Sequence, residues 1–70
     1  MMPLTMMNAV EQCTIKKIGG KEETMRFLES LGFVVGGTVT VISDTGGNLI
    51  VNVKDSRIAI GKDMASKIWV

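Results

Sequence analysis

Histidine and tyrosine are absent from this 70-residue chain, and cysteine, proline and tryptophan each occur once. Without histidine, the chain lacks the side chain most used for proton transfer near neutral pH and for metal binding. One thiol and no imidazole provide too few nitrogen and sulfur ligands for a zinc or iron–sulfur site within one chain. We therefore expect a non-enzymatic protein with no catalytic residue, no bound cofactor and no metal site.

A strong charge of either sign is also missing, because eight basic and seven acidic residues leave a formal net charge of +1. Proteins that hold a nucleic-acid backbone do so through many Lys or Arg contacts. The only basic cluster in the sequence consists of Lys16, Lys17 and Lys21, and no aromatic residue lies among them. We therefore expect no nucleic acid as a partner.

Long apolar runs are absent as well, since none approaches the roughly 20 residues that a membrane-spanning helix needs. The first residues also lack the basic start and apolar centre of a signal peptide. The single Cys13 excludes an internal disulfide and is consistent with a reducing compartment. We interpret Cys13 as a core residue, and we expect a cytoplasmic protein whose link to any membrane is indirect, through a partner.

The sequence does contain the aliphatic residues of one small core, with a hydrophobic content of 46%. A chain of this length makes one domain, near the lower limit of what folds without disulfides or metals. Residues 1–9 have no apolar period and include Pro3, so we interpret them as a loosely held lead-in. The folded domain is expected to cover residues 10–70.

Residues 21–43 predict a short amphipathic helix, a glycine stop, a tight turn and a strand. Four apolar residues fall within one arc of roughly 160° on a helical wheel: Met25, Phe27, Leu28 and Leu31. Gly32 follows them at the position where a left-handed helix cap is wanted. The helix must therefore lie with one face on an apolar surface and end at a sharp turn.

The rest of the chain shows the alternation of short strands. Five strand segments are expected: residues 10–18, 38–42, 49–53, 58–60 and 68–70. In the first segment, the apolar residues change from odd to even positions after Lys16, which requires a bulge or the end of the strand. Turns at 44–48 and 54–57 make the next three a meander, and residues 61–66 form one helical turn. We predict a mainly β fold with one or two short helices, in a small closed barrel.

This order of motifs resembles the FeoA family, the small cytosolic partners of the FeoB ferrous-iron transporter. The segments that carry the resemblance are RFL at 26–28, LGF at 31–33, GGTVTVI at 36–42, NLIVNV at 48–53, RIAI at 57–60 and DMASKIWV at 63–70. Val35 departs from the family, which commonly has proline there. The resemblance implies an SH3-like β-barrel and an accessory role in ferrous iron uptake, in which the domain docks on the cytosolic side of a FeoB-type transporter.

Four residues are the first candidates for contact with such a partner: Arg26, Phe27, Phe33 and Trp69. Phe27 lies near the edge of the apolar stripe, so we expect its ring to be half exposed. Trp69 has outward parity in the last strand, and exposed indoles are enriched at interface hot spots. The other interpretation of Trp69 places it under the lead-in, where it completes a satellite core. Phe33 follows the cap and could likewise fold back on the helix.

A free-standing SH3-like barrel that binds a peptide or RNA is the alternative function. Small barrels bind single strands in basic grooves with aromatic platforms, and they bind extended peptides beside exposed strand edges. A salt-dependent response to an oligonucleotide separates the RNA alternative from a docking module.

Overall fold

The computed structural model describes residues 1–70 and is mainly β with two short helices, which confirms the predicted fold class. In chain order the elements are β1 Gln12–Thr14, β2 Lys17–Ile18, α1 Glu22–Ser30, β3 Thr38–Asp44, β4 Asn48–Val53, β5 Ser56–Gly61, α2 Lys62–Ala65 and β6 Ile68–Trp69. A single 3₁₀ turn, Leu4–Met6, precedes them. The strands form a four-stranded antiparallel sheet in the order β1-β3-β4-β5 and a two-stranded sheet of β2 and β6. The expectation of a closed barrel is therefore wrong in one respect, because β5 pairs only with β4 and the barrel is open at that strand.

The single strand predicted over residues 10–18 is wrong in extent, because the structure divides it into β1 and β2. The Ile15 N–H donates to the Gly37 carbonyl at 2.8 Å, and the Lys16 N–H donates to the Trp69 carbonyl at 2.7 Å. These two residues therefore carry the chain from one sheet to the other. The shift in apolar phase marks this crossing.

The core is a single cluster of thirteen buried hydrophobic residues. Alternate residues of the β3–β5 meander face into it: Val39, Val41, Leu49, Val51, Val53 and Ile60. No polar or charged side chain is buried, so the core contains no group that needs an internal hydrogen-bond partner. Burial of aliphatic surface is therefore what holds the sheets and helices together.

Helix α1 ends in a glycine cap that turns the chain back to the core. Gly32 has a φ of 107°, and its N–H donates to the Glu29 carbonyl at 2.9 Å. The Phe33 N–H donates to the Leu28 carbonyl at 3.0 Å, which completes a Schellman motif. Leu28 and Phe33 both belong to the core cluster, and this is the apolar contact that commonly accompanies the motif.

The first residues differ from the expectation of a loosely held lead-in. Met2 and Val70 exchange backbone hydrogen bonds of 3.0 and 2.8 Å, and Pro3 forms a β-bridge with Trp69. Leu4 is 0% exposed and belongs to the core cluster. One apolar anchor and one backbone pairing suffice to hold the segment, and neither produces a periodic pattern in the sequence.

The turn between β3 and β4 is fastened to the start of α2 through Asp44. The Lys62 Nζ lies 2.9 Å from the Asp44 Oδ1, and the Gly46 N–H donates to the same oxygen at 2.8 Å. The hydrogen bond from Lys62, followed by that from Gly46, lowers the pKa of the Asp44 carboxyl below its ordinary value. The carboxylate form therefore stabilises this end of the barrel.

Replacing Gly32 should destabilise the fold through its backbone conformation. An alanine Cβ would meet only the stem of Lys54, the nearest atom at 3.4 Å, so the cost is torsional rather than steric. We expect Gly32→Ala to lower the free energy of unfolding by about 1 to 2 kcal/mol. Urea unfolding followed by Trp69 fluorescence measures this change. Gly47→Ala is the control, because a Cβ at Gly47 meets nothing within 4 Å, and an equal loss there would contradict the cap's role.

Truncating Leu4 tests whether the first residues belong to the fold. Leu4→Ala leaves a cavity in the core, and we expect the free energy of unfolding to fall by about 2 to 5 kcal/mol. Met6→Ala, at a position that is 68% exposed, should change it by less than about 0.5 kcal/mol. Equal urea midpoints for the two variants would show that Leu4 is not held in the core.

The Asp44 contacts predict a pH dependence with a definite sign. Because the folded-state pKa is lowered, the stabilisation is present above the unfolded value of about 3.9 and is lost as pH falls through the folded value. A carboxyl-detected NMR titration should find the Asp44 midpoint below this value in the native protein. We expect Lys62→Met to raise it, because that variant removes the largest cause of the shift. An unchanged midpoint would contradict this assignment.

Candidate functional site

An apolar groove lies between helix α1 and strand β5, with a volume of about 410 Å³. Six of its seven lining residues are hydrophobic: Phe27, Leu31, Ile58, Ala59, Ile60, Gly61 and Met64. We call it the α1–β5 groove. A recess with apolar walls can bind apolar side chains, and this one contains no group that could carry out a reaction.

Phe27 reaches the groove because α1 rests on the barrel along a narrow line. Leu28 is the one fully buried residue of the helix, and Phe27 and Met25 lie on opposite sides of it. The Phe27 ring is 51% exposed, as its position at the edge of the stripe predicts. Met25 was expected on the core-facing stripe but is also exposed, because the nine-residue helix contacts the barrel over less than the full arc.

Arg26 lies on the exposed side of α1, next to Phe27 in sequence. Its Nη2 is 2.6 Å from the Glu22 Oε1, and both side chains are well exposed. An exposed pair at this helical spacing contributes only about 0.3–0.5 kcal/mol. The guanidinium is therefore free to exchange this partner for another carboxylate, although it does not line the α1–β5 groove.

The expectation that Phe33 contacts a partner is wrong. Its ring is 0% exposed within the core, so it cannot meet a partner in this fold. The reason is the Gly32 cap, which reverses the chain and directs the next side chain inward. Of the two phenylalanines that the sequence places near the end of α1, only Phe27 remains on the surface.

Trp69 lies apart from the groove, on the two-stranded sheet. It is partly buried, its backbone pairs with Lys17 and forms a bridge with Pro3, and its indole Nε1 would lie 3.8 Å from a Cβ at Gly19. Its outward parity in the strand therefore leaves the residue only partly exposed. The structure does bring an aromatic ring to the basic cluster, beside Lys17, which the sequence order did not indicate.

The groove residues that the sequence missed come from β5 and α2, far along the chain from Phe27. Ile58, Ala59 and Met64 meet Phe27 and Leu31 only because the meander returns β5 to the side of the helix. One signal was available, since Ala59 is apolar at an outward position of its strand. A polar residue is the usual choice at such a position when it faces only water.

A second recess, of about 420 Å³, lies on the outer face of the four-stranded sheet. Its lining is mostly polar: Gln12, Thr38, Thr40, Asn52, Val53, Lys54 and Asp55. Hydroxyl and amide groups prevail there, with one charge of each sign, which is the composition of a solvated sheet face. This recess offers no apolar anchor comparable with Phe27.

Cys13 is the only nucleophilic thiol, and its surroundings keep it unreactive. Its Sγ donates to the Val39 carbonyl at 3.5 Å, and it packs against the core cluster. Burial and then the charge of Glu11 raise the pKa of the thiol, which favours the inert protonated form. No group of three or more Cys, Asp or Glu side chains is arranged to hold a metal ion. None of the helices has the length and apolar character needed to cross a membrane.

Comparison with known proteins finds relatives across the whole chain. A relative from Methanocaldococcus jannaschii, provisionally named Fe(2+) transport protein A, is 37% identical over 70 residues, which is 100% of this chain and 85% of the relative. The crystal structure of an iron uptake regulatory protein, FeoA, is 30% identical with a TM-score of 0.87, covering 96% of this chain and 89% of its own.

The architecture matches a solved SH3-type domain. The FeoA of Stenotrophomonas maltophilia, solved with zinc and described as a prokaryotic SH3 domain protein, has a TM-score of 0.83 at 24% identity and covers 99% of this chain and 88% of its own. This likeness confirms the predicted SH3-like fold. A family model described as the FeoA domain matches residues 2–70. The family match and the 37% identical relative together show that this chain belongs to the FeoA family.

Proposed function

We propose that this protein is a non-enzymatic accessory module of ferrous iron transport, which docks through the α1–β5 groove on the cytosolic side of a FeoB-type transporter. Membership of the FeoA family supports the transport role. The observation that carries the docking surface is the half-exposed Phe27 ring beside an apolar groove with no reactive group. The protein therefore acts by binding, and its surface determines what it binds.

The groove has the anatomy of a small protein interface. Its centre is apolar, with Phe27, Leu31 and Ile58 around it, and charged side chains such as Arg26 and Arg57 lie outside it. Interface hot spots are typically aromatic residues in pockets that exclude water, surrounded by a polar rim. Closing the groove would remove the exposed half of the Phe27 ring from water, a change worth about 1 kcal/mol or more.

Binding alone is enough to regulate a transporter. A module that binds one conformation of its partner more tightly than another shifts the populations of the two, by an amount set by the difference in affinity. The module needs no catalytic group for this, and its own fold does not have to change.

RNA binding is the second candidate, and one observation favours it. Trp69 lies directly opposite Lys17 in the two-stranded sheet, so a ring and a lysine share one surface. Trp69 is partly buried, however, and the net charge of the chain is only +1. A salt-dependent shift of the Trp69 indole signal on adding a single-stranded oligonucleotide would support this candidate, and an unchanged signal would remove it.

The docking proposal predicts which NMR signals move when the partner is added. On titrating labelled protein with the soluble cytosolic domain of a FeoB-type transporter from the same organism, we expect saturable shifts at Phe27, Leu31, Ile58 and Ala59. Phe27→Ala should weaken the complex by about tenfold, because truncating a central aromatic anchor typically costs more than about 1 kcal/mol. The dissociation constant from the same titration measures this effect.

Val35→Ala is the matched control, since Val35 is an apolar side chain that is 64% exposed and lies outside the groove lining. It should change the affinity less than about twofold, as expected for a residue outside the interface. Equal affinities of Phe27→Ala and the native protein would contradict the groove as the docking surface. No shift at high excess of the domain would contradict docking on the cytosolic side of the transporter altogether.

A further inference from the structure

Strand β5 leaves one backbone edge of the four-stranded sheet unpaired, and that edge borders the α1–β5 groove. In the sheet order β1-β3-β4-β5, β5 pairs only with β4. No hydrogen bond outside that ladder involves the backbone of Arg57 or Ala59. A free edge of this kind is a template for pairing with another extended chain.

The hairpin between β4 and β5 determines which groups point outward. Its loop is Lys54–Asp55, with φ values of 48° and 63°, flanked by the pair Val53 and Ser56. Two left-handed residues in a two-residue loop are typical of a type I′ turn, whose flanking residues form a hydrogen-bonded pair. Hydrogen-bonded pairs then recur at every second position along the ladder, here Val51 with Ile58 and Leu49 with Ile60.

The hydrogen bond at the end of the β4–β5 ladder agrees with this alternation of hydrogen-bonded pairs. The Lys62 N–H donates to the Gly47 carbonyl at 3.1 Å, which is the next hydrogen-bonded position in the same series. Ile58 and Ile60 therefore direct their backbone groups to β4. The N–H and C=O groups of Arg57, Ala59 and Gly61 consequently point away from β4, toward the free edge.

We propose that the occupant of the α1–β5 groove is an extended segment of the partner, which pairs with β5 as an added strand. This inference rests on the proposed docking function and specifies its mode. A docking helix uses its backbone groups internally and cannot pair with the edge, whereas an extended segment supplies both N–H and C=O groups. Its alternate side chains enter the groove beside Phe27 and Met64, which explains why apolar walls stand next to an unpaired backbone.

Charge complementarity specifies one residue of the segment. The protein has two internal ion pairs, Arg26 with Glu22 and Lys62 with Asp44, so Arg57 has no carboxylate partner. Its only side-chain hydrogen bond is a long one of 3.4 Å from Nε to the Asn52 Oδ1. Directly opposed side chains of opposite charge stabilise a strand pair. The segment therefore carries an acidic residue opposite Arg57, with small or apolar residues opposite Ala59.

Amide hydrogen exchange tests the added strand directly. The probe is the same soluble cytosolic domain of a FeoB-type transporter. In the free protein, the outward Ala59 N–H should exchange rapidly, while the Ile58 N–H is protected by the ladder. In the complex, we expect exchange at Ala59 to slow by about tenfold or more, because its N–H becomes hydrogen-bonded. The Ile58 amide is the internal reference.

Ala59→Pro provides the matching substitution. It removes an N–H that takes no part in the ladder, and proline is tolerated on the outer side of an edge strand. We expect it to weaken the complex by about tenfold, as expected when a buried hydrogen bond loses its donor. Val35→Pro is the control, because Val35 lies outside the groove lining and its N–H makes no backbone hydrogen bond. It should bind within about threefold of the native protein, as expected for a surface change away from the interface.

The outcomes separate this inference from the proposed function. Shifts of the groove side chains with rapid exchange retained at Ala59 would overturn the added strand and leave docking at the groove intact. Equal binding by Ala59→Pro and the native protein would overturn the added strand in the same way. No shift of any groove residue would overturn both.

Discussion

The glycine cap after α1 is the constraint on which the arrangement of this domain depends. Gly32 adopts a left-handed conformation, and the two backbone hydrogen bonds of the cap direct Phe33 into the core. Leu28 and Phe33 then hold the end of α1 on the barrel as one apolar contact. With the helix end held in this way, Phe27 lies half exposed at the edge of the apolar stripe, where it lines the groove. The same turn therefore stabilises the fold and creates the wall of the α1–β5 groove.

The other wall of the groove follows from the hairpin register. The two-residue loop between β4 and β5 sets which backbone groups of β5 are used internally and which face outward. Because β5 is the last strand of the sheet, its outward N–H and C=O groups are not paired with another strand and lie beside the apolar lining of the groove. A surface that combines unpaired backbone with apolar walls recognises another polypeptide more readily than a small molecule or an ion. The chemistry of the groove and the accessory role of the family thus agree.

Local patterns predicted much of the fold, because they depend on neighbouring residues. The apolar stripe of α1, the cap at Gly32 and the alternation of the meander are all properties of short segments. The burial of Leu4 and the pairing of Trp69 with Lys17 were not predictable in this way, because each depends on contacts between distant parts of the chain. The same distinction between local and long-range contacts applies to the residues of the candidate surface. The exposure of Phe27 follows from its position on the helix, whereas its neighbours Ile58 and Ala59 become visible only when the sheet order is known.

Site-specific photo-crosslinking in cells tests the central claim that this protein acts through the α1–β5 groove. A photoreactive phenylalanine derivative would replace Phe27 in one variant and Val35 in another, both exposed apolar positions, of which only the first lines the groove. We expect irradiation to link position 27, and not position 35, to the FeoB-type transporter. Crosslinking from position 35 with none from position 27 would contradict it, because the docking surface would then lie on another face of the barrel.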